Sequence, residues 1–350
     1  MSDSGSRSSE LSGGTITALV CALVLIAAFV WNTLDTIMPA QERWAALTTF
    51  GVLALGYTLL GSATVYDRLG FTVRRDPRAL LVLLALVPAL YASYSAAVRE
   101  FTVSGLLTAI AYVALPALLF RQAQGRSIPT LTDLVAALYL LLSLAIGLVP
   151  TLTLPRLDGQ VSLFAFITAP LLLVLLAMRG WRGLGFTWFL TKRDLGTALL
   201  VAAVLGVGIA PLALVLGVAP PPFADTNALN LLVQMVLLYF LIALPAELLF
   251  RGFIQRGITR YAEYVLRQEQ QRTSESRLRR NAPALLGIGL TALVFGLSQL
   301  PGSANPPATL VLATLTGVGY GLVYLRTEKV TASAVAHALV LWVVQMLGAL

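Results

Sequence analysis

Apolar runs of about twenty residues recur along almost the whole of this chain, and that is the length an α-helix needs to cross the hydrocarbon core of a bilayer. They fall at 15–34, 45–65, 79–98, 104–120, 132–154, 161–178, 197–218, 229–255, 283–300, 308–325 and 331–350. Two of them, 104–120 and 161–178, are short for a full span. Composition points the same way. Of 350 residues, 58% are hydrophobic and 11% are charged, whereas an average soluble domain is about a quarter charged. A fold so poor in charge cannot cover itself with a water-facing surface, and lipid admits only segments whose backbone groups are satisfied internally. The expected fold is all-α, a polytopic transmembrane helical bundle of about 11 spans.

The loops test that count. Basic residues collect in cytoplasmic connections, and here they alternate. The N-terminus carries Arg7, the second connection Arg68, Arg74, Arg75 and Arg78, and the fourth Arg121 and Arg126. The sixth carries Arg179, Arg182, Lys192 and Arg193, the eighth a run from Arg251 to Arg280, and the tenth Arg326 and Lys329. Of the 24 basic residues only Arg43, Arg99 and Arg156 lie in the other connections. The reading that follows is a multi-pass protein of the cell membrane with a cytoplasmic N-terminus and an external C-terminus. The formal net charge of +8 is then a property of the loops beside membrane lipid, and calls for no nucleic acid. The polar segment 1–14 precedes a run too long for a signal peptide and without a small-residue cleavage pattern, so that run is expected to remain as the first span. The lone cysteine, Cys21, cannot form an intrachain disulfide.

Two regions differ in what they carry. Residues 1–178 form an N-terminal six-span membrane region with almost no interior polar residue, and nothing in it names a role. Residues 179–350 hold the other spans and nearly all the intramembrane polar groups, with a charged cytoplasmic loop at 256–282. No P-loop, dinucleotide fingerprint or paired CxxC is present, and the absence of an evident internal repeat weighs against inverted-repeat transporters.

Ionisable residues inside spans are costly and mark functional candidates. The eighth span, LLVQMVLLYFLIALPAELLFRGFIQRG, carries Glu247 and Arg251 four residues apart, on one helix face with the acid N-terminal. Pro245 lies two residues before Glu247 and removes a backbone donor there. Ser298 and Gln299 end the ninth span. Gly317 and Gly321 in the tenth form a GxxxG pair that lets another helix approach closely. His337, the only histidine, sits in the eleventh. Taken singly, each fits an ordinary packing role: an ion pair between helices, a hydrogen-bonded core histidine, an interhelical amide.

Taken in order, they resemble the CPBP family, the CAAX-protease and bacteriocin-processing membrane endopeptidases. The segment 246–252, AELLFRG, is similar to that family's first motif, Glu-Glu-x-x-x-Arg followed by Gly. Phe295 to Gln299, FGLSQ, resembles the second, Phe-x-x-x-His. His337 to Leu341, HALVL, resembles the third, His-x-x-x-Asn/Asp. The stretches GVGYGLVYLRT at 317–327 and WRGLGF at 181–186 running to Arg193, Asp194 and Leu195 also look like the family. The resemblance covers about 180–350. It implies a CPBP-like helical core in the C-terminal half and a substrate cavity that includes Phe295, Ser298 and Gln299. Its candidate catalytic residues would be Glu247, Arg251 and His337.

Three motif positions depart from the pattern. Ala246 stands where the family has its first glutamate, Gln299 where it has a histidine, and Leu341 where it has Asn or Asp. In the family, that first glutamate and that histidine activate water. Alanine and leucine offer no titratable group, and glutamine accepts no proton near neutral pH, so a general base is missing. A catalytic zinc takes three protein ligands and an open position. Glu247 and His337 supply two, so no metal and no cofactor is expected.

The leading expectation is a degenerate family member that keeps the cavity and binds a membrane-embedded peptide or protein, prenylated or otherwise, without cutting it. A second reading is an active intramembrane endopeptidase, with Glu247 as base, His337 polarising the carbonyl and Arg251 holding the substrate. A third is a transporter built on the Glu247/Arg251 pair.

Overall fold

The computed structural model describes residues 4–33, 39–126, 128–145, 163–219, 223, 227–270 and 277–349. Among these residues fourteen α-helices follow one another: α1 (Ser4–Thr33), α2 (Ala40–Leu59), α3 (Ala63–Arg75), α4 (Pro77–Ala97), α5 (Val103–Gln122), α6 (Leu131–Ala145), α7 (Leu163–Arg179), α8 (Lys192–Val215), α9 (Ala228–Leu237), α10 (Leu244–Glu247), α11 (Arg256–Gln270), α12 (Arg277–Ser298), α13 (Pro306–Thr327) and α14 (Val330–Ala349). Among the described residues there is no strand. The all-α membrane bundle expected from the apolar runs is the observed architecture.

The span count differs from expectation. Among the described residues eight helices are long and apolar enough to cross a bilayer, or nine if the bent pair α2–α3 is one crossing. The eleven expected runs are present as apolar helices, but two fall short. The described part of α6 has 15 residues and α7 has 17, which at 1.5 Å per residue is less than the ~30 Å hydrocarbon core. Residues 146–162, between them, lie outside the described residues. The run expected at 45–65 also breaks. The α2 helix ends at Leu59, and α3 turns away from it by 98°. Arg68, Arg74 and Arg75 make α3 amphipathic, so it cannot continue into lipid.

Two apolar cores organise the bundle. The larger is built around α7, whose residues from Leu171 to Met178 are all buried. A helix hydrophobic all round is suited to a protein core as well as to lipid, and α7, buried among its neighbours, is the central strut of the first half. The second core joins α8, α12, α13 and α14. On α8, the small residues Ala198, Ala202, Gly206 and Ala210 face inward at intervals of four, while Leu200, Val204 and Val207 face outward. That stripe lets helix backbones come close, with Gly206 against Val343 of α14. The GxxxG pair works the same way. Gly317 meets Ala292 and Phe295 of α12, and Gly321 meets Ile288 and Gln255.

Between the two cores runs one continuous helical rod from α9 through α10 to α11. It contains two wide-wound π segments, Leu238–Ala243 and Leu248–Gln255, on either side of α10. The first closes with the Leu244 N–H on the Tyr239 carbonyl, five residues back, and it stops at Pro245, which has no N–H to continue the pattern. The second closes with the Arg256 N–H on the Arg251 carbonyl, again five back. Local π winding inside a helix recurs at functional sites, and here it brackets Glu247.

The segment 180–191 ties the two halves together at one end. Gly183 and Gly185 both have positive φ, +69° and +76°. A Cβ at Gly185 would overlap the Glu328 carbonyl, and the Val330 N–H donates to the Gly185 carbonyl at 2.9 Å. Lys329 Nζ reaches Asp194 at 2.7 Å and the Phe189 carbonyl at 2.8 Å. The turn between α13 and α14 is thereby clamped, which fixes where α14 enters the core.

Candidate functional site

Glu247 lies at the centre of a buried polar cluster, with no exposed surface. Arg251 Nε donates to its Oε2 at 3.0 Å. Ser333 Oγ lies 2.6 Å from the same oxygen and 2.9 Å from the Tyr320 carbonyl, with one proton to give to either. His337 Nδ1 is 2.9 Å from Oε1. The i, i+4 spacing read from the sequence places Glu247 and Arg251 on one face. The row continues to Gln255, where Arg251 Nη1 donates to Oε1 at 3.4 Å and Gln255 Nε2 donates to the Gly321 carbonyl at 3.3 Å. Arg251 is also fully enclosed, and its Nη2 has no hydrogen-bond partner among the described residues.

His337 stands between this cluster and a cavity. Its ring stacks on Tyr320 (centroids 4.6 Å apart, 16° between planes) and meets Phe295 edge-on at 5.7 Å. Phe250 packs against Phe295 in turn. With Nδ1 facing a carboxylate, the ring is held in one orientation and Nε2 is the nitrogen left for a ligand. The cavity beyond has a volume of about 460 Å³. His337, Tyr320, Phe295 and Leu341 are in its wall, and Gln299, Ser303 and Thr309 line it nearer the 301–304 turn. Among the described residues no Asp, Glu, Lys or Arg side chain lines it.

The motif positions therefore separate into two layers. Glu247, Arg251 and His337 are joined by hydrogen bonds. Phe295, Gln299 and Leu341 share the cavity with His337, whereas Glu247 and Arg251 are enclosed behind it. Ala246 is half-buried against the second core and is not in the cavity wall. Ser298 turns away too. Its hydroxyl donates to the Phe295 carbonyl at 2.7 Å and accepts from Gln299 Nε2 at 3.2 Å. Among the described residues no group of three His, Cys, Asp or Glu side chains is gathered to hold a metal.

Residues 228–343 match the family model described as Type II CAAX prenyl endopeptidase Rce1-like. That stretch, about a third of the chain, is similar to the CAAX-protease-like family, and it sits within a multi-pass membrane bundle. The match begins with α9 and ends in α14, so it spans every residue of the polar cluster and most of the cavity wall. No curated protein and no solved structure matches the chain.

Sequence reasoning passed over three participants in this site. Ser333 reads as one more small residue in an apolar helix, and only the packing of α14 on α10 puts it against Glu247. Tyr320, in the GVGYG stretch, contributes both its ring and its carbonyl. Gln255 was visible four residues after Arg251 on the same face, and that spacing was the available signal. A second buried ion pair lies in the N-terminal region, where none was expected. Arg179 Nε meets Asp133 Oδ1 at 3.1 Å, and its Nη2 donates to the Ile128 carbonyl at 2.9 Å and Asp133 Oδ2 at 3.2 Å. It locks the start of α6 to the end of α7.

Proposed function

We propose that this protein uses the CAAX-protease-like cavity to bind an uncharged, membrane-embedded segment of a peptide or protein, prenylated or otherwise, and does not cut it. The observation that carries this reading is the cavity wall itself. Gln299 and Leu341 line it at two of the motif positions, neither can take a proton from water, and among the described residues no carboxylate faces the space. Glu247, the acid the sequence retains, has both oxygens engaged and no exposure to water. It acts as the joint between the site rod and α14. An apolar wall with a few neutral polar groups suits an apolar ligand oriented by one or two hydrogen bonds.

One observation favours a second reading. The Glu247–His337 contact orients the imidazole as a carboxylate orients a catalytic histidine, with Nε2 free for the cavity. In that arrangement His337 would be the base and Glu247 its orienting partner, which reverses the roles expected from the sequence.

The deciding experiment is a cleavage and crosslinking assay on the protein reconstituted in lipid. It uses a library of membrane peptides with and without prenyl groups. The variants are His337→Ala and a triple restoration, Ala246→Glu with Gln299→His and Leu341→Asn. Crosslinking without cleavage by the natural chain, with cleavage gained on restoration, is the expected result. Cleavage by the natural chain that disappears with His337→Ala would establish the second reading.

A further inference from the structure

Among the described residues three buried or half-buried basic groups have a carboxylate, Arg179 with Asp133, Arg251 with Glu247 and Lys329 with Asp194, and Arg74 has a carbonyl of its own, that of Ala177. Arg256 and Arg260, one turn apart on α11, have neither. Both direct Nη2 at a single acceptor, the Arg182 carbonyl, at 3.1 and 3.3 Å. Two positive charges are thus held within a few ångströms on one neutral oxygen. Among the described residues neither guanidinium lies within 4.0 Å of a carboxylate. Of the acids on these elements whose side chains are described, Glu263 on α11 and Glu328 after α13 are exposed and bond neither.

The guanidinium groups are also held in place. Arg256 lies flat over Gly183, where a Cβ would stand 2.9 Å from Nη2, and its Nη1 donates to Tyr324 Oη at 3.4 Å. Its Nε is buried without a partner among the described residues. Arg260 sits over the Trp181 ring at 5.4 Å, with one of its five donors engaged. Like charges gathered on a rigid frame with donors unspent favour a bound anion, and the planar guanidinium fork matches phosphate oxygens.

We propose that Arg256 and Arg260, framed by Trp181 and Gly183, form a binding site for a phosphate-bearing anion at the basic end of the bundle. An anionic lipid headgroup has this chemistry, and so does free phosphate. A diffuse basic surface would attract either one without needing this geometry.

The test uses the full chain purified in detergent and offered equimolar phosphatidylglycerol and phosphatidylcholine, with bound lipid counted by native mass spectrometry. Arg260→Gln should reduce phosphatidylglycerol retention about tenfold, the effect of losing one charge-assisted contact. Arg260→Lys, which keeps the charge and loses the fork, should fall between. Arg267→Gln removes the same charge from an exposed position on the same helix and should leave retention unchanged. Inorganic phosphate is titrated in parallel. Its failure to displace phosphatidylglycerol assigns the site to a lipid headgroup, and displacement at matching concentration assigns it to soluble phosphate. Equal losses from Arg260→Gln and Arg267→Gln would overturn the proposal, as would equal retention of the two lipids together with no phosphate binding.

Discussion

Glu247 is the residue on which the two helical layers of the site meet, and its value can be weighed by removal. Glu247→Ala leaves the Arg251 guanidinium enclosed without its counter-charge, and breaking one side of a buried pair costs about 3–5 kcal/mol. Ser333→Ala deletes one of three partners and should cost about 1–2 kcal/mol. Truncating Glu247 and Arg251 together should cost less than the sum of the two single changes, because the pair leaves as a unit. Thermal unfolding in detergent measures all four. Small, additive losses would show that the cluster does not hold the fold. The two charged members were legible because a charge stands out in an apolar span. Ser333 and Tyr320 were not, since their bonds to Glu247 and across α14 depend on which face of α14 turns inward, and an all-apolar helix carries no periodicity to say so. Asp133 was hidden for another reason. It sits at the first turn of an apolar run and looks like an exposed cap, yet it is buried against Arg179.

Elements were legible as apolar lengths, and the structure departs from them where the backbone turns or rewinds. The 98° bend between α2 and α3 follows from a polar, arginine-rich face that a hydropathy average dilutes. The first π segment stops at Pro245, whose missing donor the sequence displayed, although the wider winding on either side was not deducible. The 180–191 segment shows what a short connection can fix. Gly185 has φ +76° and a neighbouring carbonyl where a side chain would begin. Gly185→Ala must therefore strain the backbone and dislodge the α13–α14 turn together. Its unfolding temperature should fall clearly, by the equivalent of roughly 2 kcal/mol or more. Gly208, on the outward face of α8 with nothing within 4 Å of its would-be Cβ, is the contrast. Gly208→Ala should be neutral or raise stability by up to about 1 kcal/mol, since glycine is a poor helix former. Equal responses at the two positions would mean that the segment does not clamp the turn.

At the scale of the whole molecule the basic connections, widely separated in sequence, come together at one end. Arg74 reaches the Ala177 carbonyl at 2.7 Å, Arg179 bonds the Arg126 carbonyl, Arg256 the Arg182 carbonyl, and Lys329 pairs with Asp194. The start of α1 belongs to this end, with Thr15 beside Ser62. Opposite, Trp31 at the end of α1 bonds Asn230 at the start of α9, and Asn305 before α13 bonds the Leu216 carbonyl after α8. The final helix starts at the basic end, at the Gly185–Val330 contact, and runs away from it. With the start of α1 at the basic end and α14 running away from that end, the expectation is an odd number of crossings. Fluorescent and phosphatase reporters fused to the two termini should therefore report opposite sides of the membrane, with the N-terminal one cytoplasmic because the arginines gather there. A reporter placed in the 256–282 loop should share the side of the N-terminus. Termini on the same side would mean that only one of α6 and α7 crosses, and the first half of the bundle would then need to be redrawn around the enclosed strut of α7.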